Sequence, residues 1–194
     1  MRKSLFKAVI TSALLTTALT STVNAASVEE IKKRAAEISE LKELINAADP
    51  ALRLAAIDTM QNSTDLAMKE MAFNAGFNSA DESVVALTIR NRFSEVAGFT
   101  VLLSKPAEEG KALEIFNEYG GQVMVKIVSY DKDKGTFIDV SHYSPGKKSS
   151  TISGLNLMVS TNYCNGGFTL DDDLIYRGRI TCREQQYTGE IRLF

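Results

Sequence analysis

Histidine and cysteine are scarce in this chain of 194 residues, which has one histidine, His142, and two cysteines, Cys164 and Cys182. A zinc site in a protein needs three or four histidine, cysteine or carboxylate ligands. With a single histidine, and with the two cysteines expected to bond to each other, the sequence offers no such set. We therefore expect neither a metal ion nor another cofactor.

Long apolar runs are also lacking, and after residue 25 no run of basic residues is longer than three. A transmembrane helix needs about 20 mostly apolar residues, and no segment of the chain meets this requirement. Residues 1–25 hold three of the 22 basic residues and none of the 24 acidic ones, so without them the formal charge falls from −2 to −5. The longest basic run after them is Lys32-Lys33-Arg34, and Lys147-Lys148 is the next. We therefore expect a soluble chain that binds no nucleic acid.

An export signal is predicted over residues 1–25. Basic residues precede the apolar run 8–19, and small residues lead to a cleavage site after Ala25. The expected destination is the periplasm, with secretion into the medium as the alternative. Disulfides persist in such oxidising compartments, so export would allow Cys164 and Cys182 to bond.

Residues 27–120 are predicted to be helical. Apolar side chains recur at helical spacing, and aspartates that can act as N-caps precede several of the segments. The expected helices are 28–47, 50–61, 66–76, 82–96 and 107–119. Their expected core holds Leu52, Ala56, Ile57, Met60, Leu66, Met71, Val85 and Ile89. The methionines at 60, 68 and 71 are interpreted as core residues rather than as the lining of a binding groove.

Two of these segments resemble each other at an offset of 32 residues: DPALRLAAI at 49–57 and DESVVALTI at 81–89. A capping aspartate, an apolar position and an isoleucine coincide. Residues 49–98 resemble HEAT-type helical hairpins, and the Asp-Pro-x-Leu-Arg opening is similar to their first helix. The resemblance implies a helical face of the kind that commonly binds other macromolecules. A plain four-helix bundle with aspartate caps is the alternative.

Residues 121–194 are predicted to form an antiparallel β region. After residue 120 the apolar period changes from that of a helix to simple alternation. The expected strands are 123–128, 136–142, 152–160, 163–170, 174–182 and 187–194. The predicted fold class is therefore α+β, in which a helical bundle or HEAT-like hairpins precede a sheet of about six strands with one cross-strand disulfide.

The side-chain pattern of the hairpin with its turn at 171–173 fixes its register. In that register Cys164 faces Cys182, Phe168 faces Gly178, and the apolar side chains share one face. Directly opposed residues lie about 4.5–5.5 Å apart at Cα, which suits a disulfide. The wide spacing differs from the Cys-x-x-Cys of redox couples. We predict a structural bond that contributes about 3 kcal/mol.

Catalytic and calcium-binding patterns are weak. On one strand, Ser141 and His142 point to opposite faces, and the chain has no Gly-x-Ser-x-Gly motif. Asp131-x-Asp133 resembles the start of a calcium loop, but the glycine is one position early and the closing glutamate is missing. The acids at 171–173 are expected to form a solvated hairpin tip.

The sequence therefore favours an exported, non-catalytic protein that binds another macromolecule in the cell envelope. An inhibitor or immunity protein of an envelope hydrolase is one specific form. The alternatives are a small periplasmic hydrolase that uses His142, and a carrier of a small ligand or lipid in the β region. Cys164 and Cys182 are the only site residues that we predict, and their predicted role is structural.

Overall fold

The computed structural model describes residues 27–141 and 149–193. The predicted export signal and His142 lie outside the described residues. The described residues fall into two units, one of which ends at Ala36 and the other of which begins at Glu37. Within the described ranges, no helix combines the length and the apolar character needed to cross a bilayer.

The first helix, α1, spans Val28–Ile45, close to the predicted bounds. A capping box begins it: the Ser27 amide donates to the Glu30 carboxylate at 2.7 Å, and the Glu30 amide donates to the Ser27 hydroxyl at 3.2 Å. These hydrogen bonds with Ser27 lower the pKa of the Glu30 carboxyl.

Three helices of equal length follow a 16-residue period. They are α2 (Pro50–Gln61), α3 (Leu66–Phe77) and α4 (Glu82–Phe93). Each begins after a capping aspartate whose carboxylate accepts hydrogen bonds from amides of the first turn, and these caps are Asp49, Asp65 and Asp81. The 32-residue offset noted in the sequence is thus twice the spacing of the caps.

The core of this helical layer is mainly aliphatic. Its fully buried members are Ile45, Ile57, Met60, Ala72 and Val84, with Met68 and Met71 packed partly buried against them. The methionines therefore serve as core residues, as predicted. The expectation for Leu52 and Leu66 is wrong, because these side chains are 47% and 70% exposed. Both stand in the first turn of a helix, next to its cap, where the helix end meets solvent.

A buried hydrogen-bond network joins α2, α3 and α4. The side-chain amide of Gln61 donates to the Ala72 carbonyl at 3.2 Å and to the Thr88 hydroxyl at 2.9 Å. The Asn91 amide donates to Oε1 of Gln61 at 2.7 Å. A Cβ at Gly76 would lie 2.0 Å from Oγ1 of Thr88, so only glycine leaves room for the network at that position.

Eight antiparallel strands form a closed up-and-down barrel in sequence order. They are β1 (Gly98–Leu103), β2 (Gln122–Asp131), β3 (Thr136–Asp139), β4 (Ser150–Ser153), β5 (Asn156–Ser160), β6 (Cys164–Leu170), β7 (Ile175–Cys182) and β8 (Gln185–Arg192). The pairing of β1 with β8, in which Val101 faces Ile191, closes the barrel. Helix α5 (Lys111–Glu118) connects β1 to β2.

The α+β class with a C-terminal antiparallel sheet is confirmed, but the expectation of about six strands is wrong. The predicted strand 152–160 is two strands, because Gly154, with φ of +57°, forms a turn between β4 and β5. The other additional strand is β1, which lies within the segment expected to be helical. Its alternating pattern buries Phe99, Val101 and Leu103.

Side chains fill the barrel interior, and the two flanking helices add to the same core. Tyr176, Phe137, Leu157, Ile180 and Ile191 are each at most 1% exposed. Helix α4 contributes Ile89 and Phe93, and α5 contributes Ile115. The Tyr130 hydroxyl, near the end of β2, donates to the Arg90 carbonyl of α4 at 3.2 Å. Helix α4 thus lies at the end of the barrel where β1 begins, and α5 lies where β1 ends.

Candidate functional site

The β6–β7 hairpin has the predicted register. Cys164 pairs with Cys182, and Phe168 pairs with Gly178. The cysteines form a disulfide with their Cα atoms 4.1 Å apart, and both are buried. The predicted disulfide is therefore confirmed, and it links two strands at the α5 end of the barrel.

In the two acidic turns, aspartate carboxylates accept hydrogen bonds from groups of the same turn. In the β2–β3 turn, the Asp131 carboxylate accepts hydrogen bonds from the side chain and the amide of Lys134, at 2.8 and 3.1 Å. These bonds lower the pKa of Asp131. In the β6–β7 turn, Oδ1 of Asp171 accepts from the amides of Asp173 and Ile175, both at 3.0 Å. Across the described part of the chain, no three metal-ligating side chains converge.

An exposed apolar patch lies on the outer face of β2 and β3. We name it the β2–β3 patch, and its members are Met124, Lys126 and Val128 of β2, Ile138 of β3, and Val140, which directly follows β3. The four apolar side chains are 75%, 64%, 38% and 41% exposed, in chain order. The strands bring them together, since the Val140 amide donates to the Lys126 carbonyl at 3.0 Å. Contiguous exposed apolar groups of this kind mark interaction sites in soluble proteins.

A β-bulge helps to shape the patch. The register shifts between Ile127 and Ser129, and Val128 and Ser129 are both exposed opposite Ile138. Strand β2 carries apolar side chains on both faces, because Val123 and Val125 are buried inside the barrel and Met124 and Val128 are exposed outside it. A strand that is apolar on both faces is typical of one that is covered on both sides. That pattern in 123–128 is the signal through which the sequence could have indicated the patch.

Lys126 is the only charged member of the patch. No hydrogen bond or ion pair joins its ammonium group to another described residue. Its neighbour across the β1–β2 pair is Gly98, which has no side chain to cover it. The patch therefore combines an apolar surface with one unpaired positive charge.

A cavity of about 160 Å³ lies beside the patch at the α5 end of the barrel. Met124 and Val140 belong to both the patch and the cavity lining. The remaining lining includes Tyr119 at the end of α5, Asp139 on β3, and Tyr163 in the β5–β6 loop. Segments far apart in sequence thus meet at this cavity.

Asp139 is the one charged residue among the buried residues of the described chain, at 4% exposed. Its Oδ1 accepts a hydrogen bond from the Ser141 amide at 2.7 Å. Its Oδ2 is buried without a hydrogen-bond partner, and so is the hydroxyl oxygen of Tyr119. Most buried polar atoms in proteins are hydrogen-bonded, so these two atoms are exceptions, and the residues that carry them both line the cavity.

A cation already lies against the aromatic rings of the cavity. The guanidinium of Arg183 lies 5.6 Å from the Tyr119 ring centre and 5.5 Å from the Tyr163 ring centre. It also donates to the Glu118 carboxylate at 2.7 Å, which raises the pKa of Arg183. Glu118 thus balances the charge of Arg183, and Asp139 is the charged residue among the described residues that line the cavity.

No protein-family model, curated protein or solved structure matches this chain. The fold and the surface therefore define its class: an α+β protein with capped helices, a closed eight-stranded barrel, an exposed apolar patch and a buried carboxylate beside it. The resemblance of residues 49–98 to HEAT-type hairpins stays a prediction.

Proposed function

We propose that this chain is an exported protein of the cell envelope that binds another protein and has no catalytic role. The β2–β3 patch is the observation that carries the proposal. Protein interfaces combine an apolar centre with few charged groups, which is the composition of this patch. The periplasm is the proposed compartment, and the Cys164–Cys182 bond supports export because disulfides persist in oxidising surroundings. An inhibitor or immunity protein of an envelope hydrolase is the specific form that we favour.

The patch indicates the chemistry of the partner. An ammonium group that is buried without a counter-charge is costly, so a surface that covers Lys126 must offer a carboxylate opposite it. Around that carboxylate the partner should be apolar, to match Met124, Val128 and Ile138. The side chains that fill the barrel interior favour this outer surface over an internal ligand cavity.

The helical layer is a second part of the proposal. If residues 49–98 are HEAT-type hairpins, their stacked helices offer a further face for a macromolecule. Leu52 and Leu66, which are exposed on this layer, are the apolar side chains that such a face would use.

Site-specific photo-cross-linking in cells tests the proposal. A benzophenone amino acid at Val128 should give one product of defined mass, because the partner covers that position. The matched control is the same amino acid at Thr188, which is exposed on the outer face of β8 and should give no product. Lys126→Glu should abolish the Val128 product, since it places a negative charge opposite the partner's carboxylate.

Three results would contradict the proposal. They are the absence of a product at Val128, the same products at Val128 and Thr188, and a Val128 product that Lys126→Glu leaves unchanged. A Val128 product of twice the chain's own mass would show that a second copy covers the patch, which would also overturn the proposed partner. Circular dichroism and thiol titration of each variant check that the fold and the disulfide are intact.

A further inference from the structure

We propose that a groove on the outside of the barrel binds a saccharide that carries a carboxylate, and that the guanidinium of Arg179 donates to this carboxylate. The groove has a volume of about 690 Å³, which lies in the range of small-molecule sites. Residues of β4 to β8 line it, so it lies on other strands than the β2–β3 patch. The inference is therefore independent of the proposed protein partner, and each can fail without the other.

The unpaired guanidinium of Arg179 is the first support. The other arginines of β7, β8 and the turn between them each form an ion pair with a glutamate, and they are Arg177, Arg183 and Arg192. Arg179 forms neither a hydrogen bond nor an ion pair with another described residue. All 24 acidic residues lie within the described ranges, so no further aspartate or glutamate is left to pair with it. A guanidinium has five donors and no acceptor, so the ligand that suits Arg179 is an anion.

The geometry of the strands leaves Arg179 accessible from the groove. The next residue of β7, Ile180, is fully buried in the barrel, so alternation directs the exposed Arg179 outwards. Its partner on β6 is Gly167, which has no side chain to cover the guanidinium. Gly167 pairs in turn with Met158 of β5, whose flexible side chain is 51% exposed. A glycine inside a strand often marks a place where a ligand approaches the backbone closely.

Neutral polar side chains beside Arg179 favour a saccharide as the body of the ligand. Asn165, Thr181 and Gln186 follow one another across β6, β7 and β8, and their side chains make no hydrogen bond with another described residue. Hydroxyl and amide groups both donate and accept hydrogen bonds, as the hydroxyl groups of a saccharide do. Arg179 is the only charged residue among the described residues of the lining. A single carboxylate, which a guanidinium binds through two parallel hydrogen bonds, therefore matches the groove better than a ligand with many charges.

Glucuronate, a sugar with one carboxylate, is the probe for a direct test. We expect it to shift the methyl NMR signal of Met158 in a saturable way and to leave the signal of Met124, which lies outside the groove, unchanged. Glucuronamide keeps the sugar and replaces the carboxylate with a neutral amide. Acetate keeps the carboxylate and lacks the sugar. Each should bind about tenfold or more weakly than glucuronate, because each loses one of the two sets of hydrogen bonds.

Two variants separate recognition of the carboxylate from recognition of the sugar. Arg179→Gln should weaken glucuronate binding about tenfold or more, because it removes the charged donor. Arg192→Gln removes the same charge from an arginine that is exposed outside the groove, and as the matched control it should leave binding unchanged. Thr181→Val keeps the shape of the side chain and removes its hydroxyl. It should weaken glucuronate binding about threefold or more and leave acetate binding unchanged.

Several outcomes would overturn the inference. One is the absence of a saturable Met158 shift with glucuronate. Equal binding of glucuronamide would show that the carboxylate is not recognised, and equal binding of acetate or inorganic phosphate would show an anion site that ignores the sugar. Equal losses in Arg179→Gln and Arg192→Gln would show attraction to positive charge in general. Tighter binding of tetraglutamate would show that the groove takes an acidic protein segment. None of these results bears on the cross-link at Val128, which tests the proposed function separately.

Discussion

The side chains of Gln61 and Asn91 share a hydrogen bond of 2.7 Å that joins α2 to α4 inside the helical layer. The two residues are only 2% and 3% exposed, so water cannot replace a lost partner. We expect Asn91→Ala to lower the free energy of unfolding by about 1–3 kcal/mol, because it leaves Oε1 of Gln61 buried without a donor. Urea unfolding measures this loss.

Asn78→Ala is the control for the helical network. The Asn78 side chain is exposed and bonds only to Asn74 of its own helix, so its removal should change stability by about 0.5 kcal/mol or less. Equal losses in the two variants would show that the buried network does not stabilise the layer beyond a surface contact.

The Cys164–Cys182 bond should stabilise the protein mainly by restricting the unfolded chain. Its cysteines are 18 positions apart, and a loop of this length corresponds to about 3 kcal/mol. Cys164→Ser with Cys182→Ser should lower the free energy of unfolding by about this amount in urea. Reductant should destabilise the wild type equally and leave the double variant unchanged. Two free thiols in denatured, unreduced wild type would contradict the bond.

Two glycines of the barrel should differ in their response to alanine. A Cβ at Gly178 would lie 2.0 Å from the Gly167 carbonyl oxygen, whereas a Cβ at Gly167 would lie 3.0 Å from the sulfur of Met158. The first neighbour is backbone and the second is a flexible side chain. We expect Gly178→Ala to lower the melting temperature strongly, with a cost of about 1–3 kcal/mol, and Gly167→Ala to be mild. The opposite order would contradict the packing of β6 against β7.

The tyrosines should ionise at different pH values. Burial raises the pKa of Tyr130 to about 12 and also raises the pKa of Tyr176, against about 10 in an unfolded chain. The stability that Tyr130 contributes is therefore complete below pH 10 and is lost as the pH rises towards 12. In a tyrosinate absorbance titration, Tyr130→Phe should remove signal from the late step. Removal of signal from the step near pH 10 would contradict the burial of Tyr130.

The β6–β7 register could be predicted because the two faces of the hairpin differ sharply. A shift by one residue would turn Arg177 and Arg179 into the barrel, so the polar residues allow one pairing only. Strand β1 was not predicted because it is a short run between helices, where a brief apolar alternation competes with helical spacing. Strands β4 and β5 merged into one because the turn at Gly154 has two residues and interrupts a mostly apolar run.

The cavity could not be predicted for a different reason. Strand alternation could have placed Asp139 inside, on the same face as Phe137, but its surroundings come from distant segments. Tyr119 lies at the end of α5 and Tyr163 lies in the β5–β6 loop, and only the closure of the barrel places them next to β3. No pattern within a single segment of the sequence indicates that side chains from these distant segments lie close together.

The pairing of β1 with β8 affects the order in which the chain can fold. Val101 and Ile191 face each other although they lie 90 positions apart in the sequence, and contacts of such separation slow folding. The β6–β7 hairpin is local, so its cysteines can meet and oxidise while the barrel is still open. Until β8 is available, β1 and β7 each keep an unpaired edge that can join another chain. The pairing of β8 with both β1 and β7 therefore closes the barrel, and a chain in which β8 is unpaired would leave two strand edges open to aggregation.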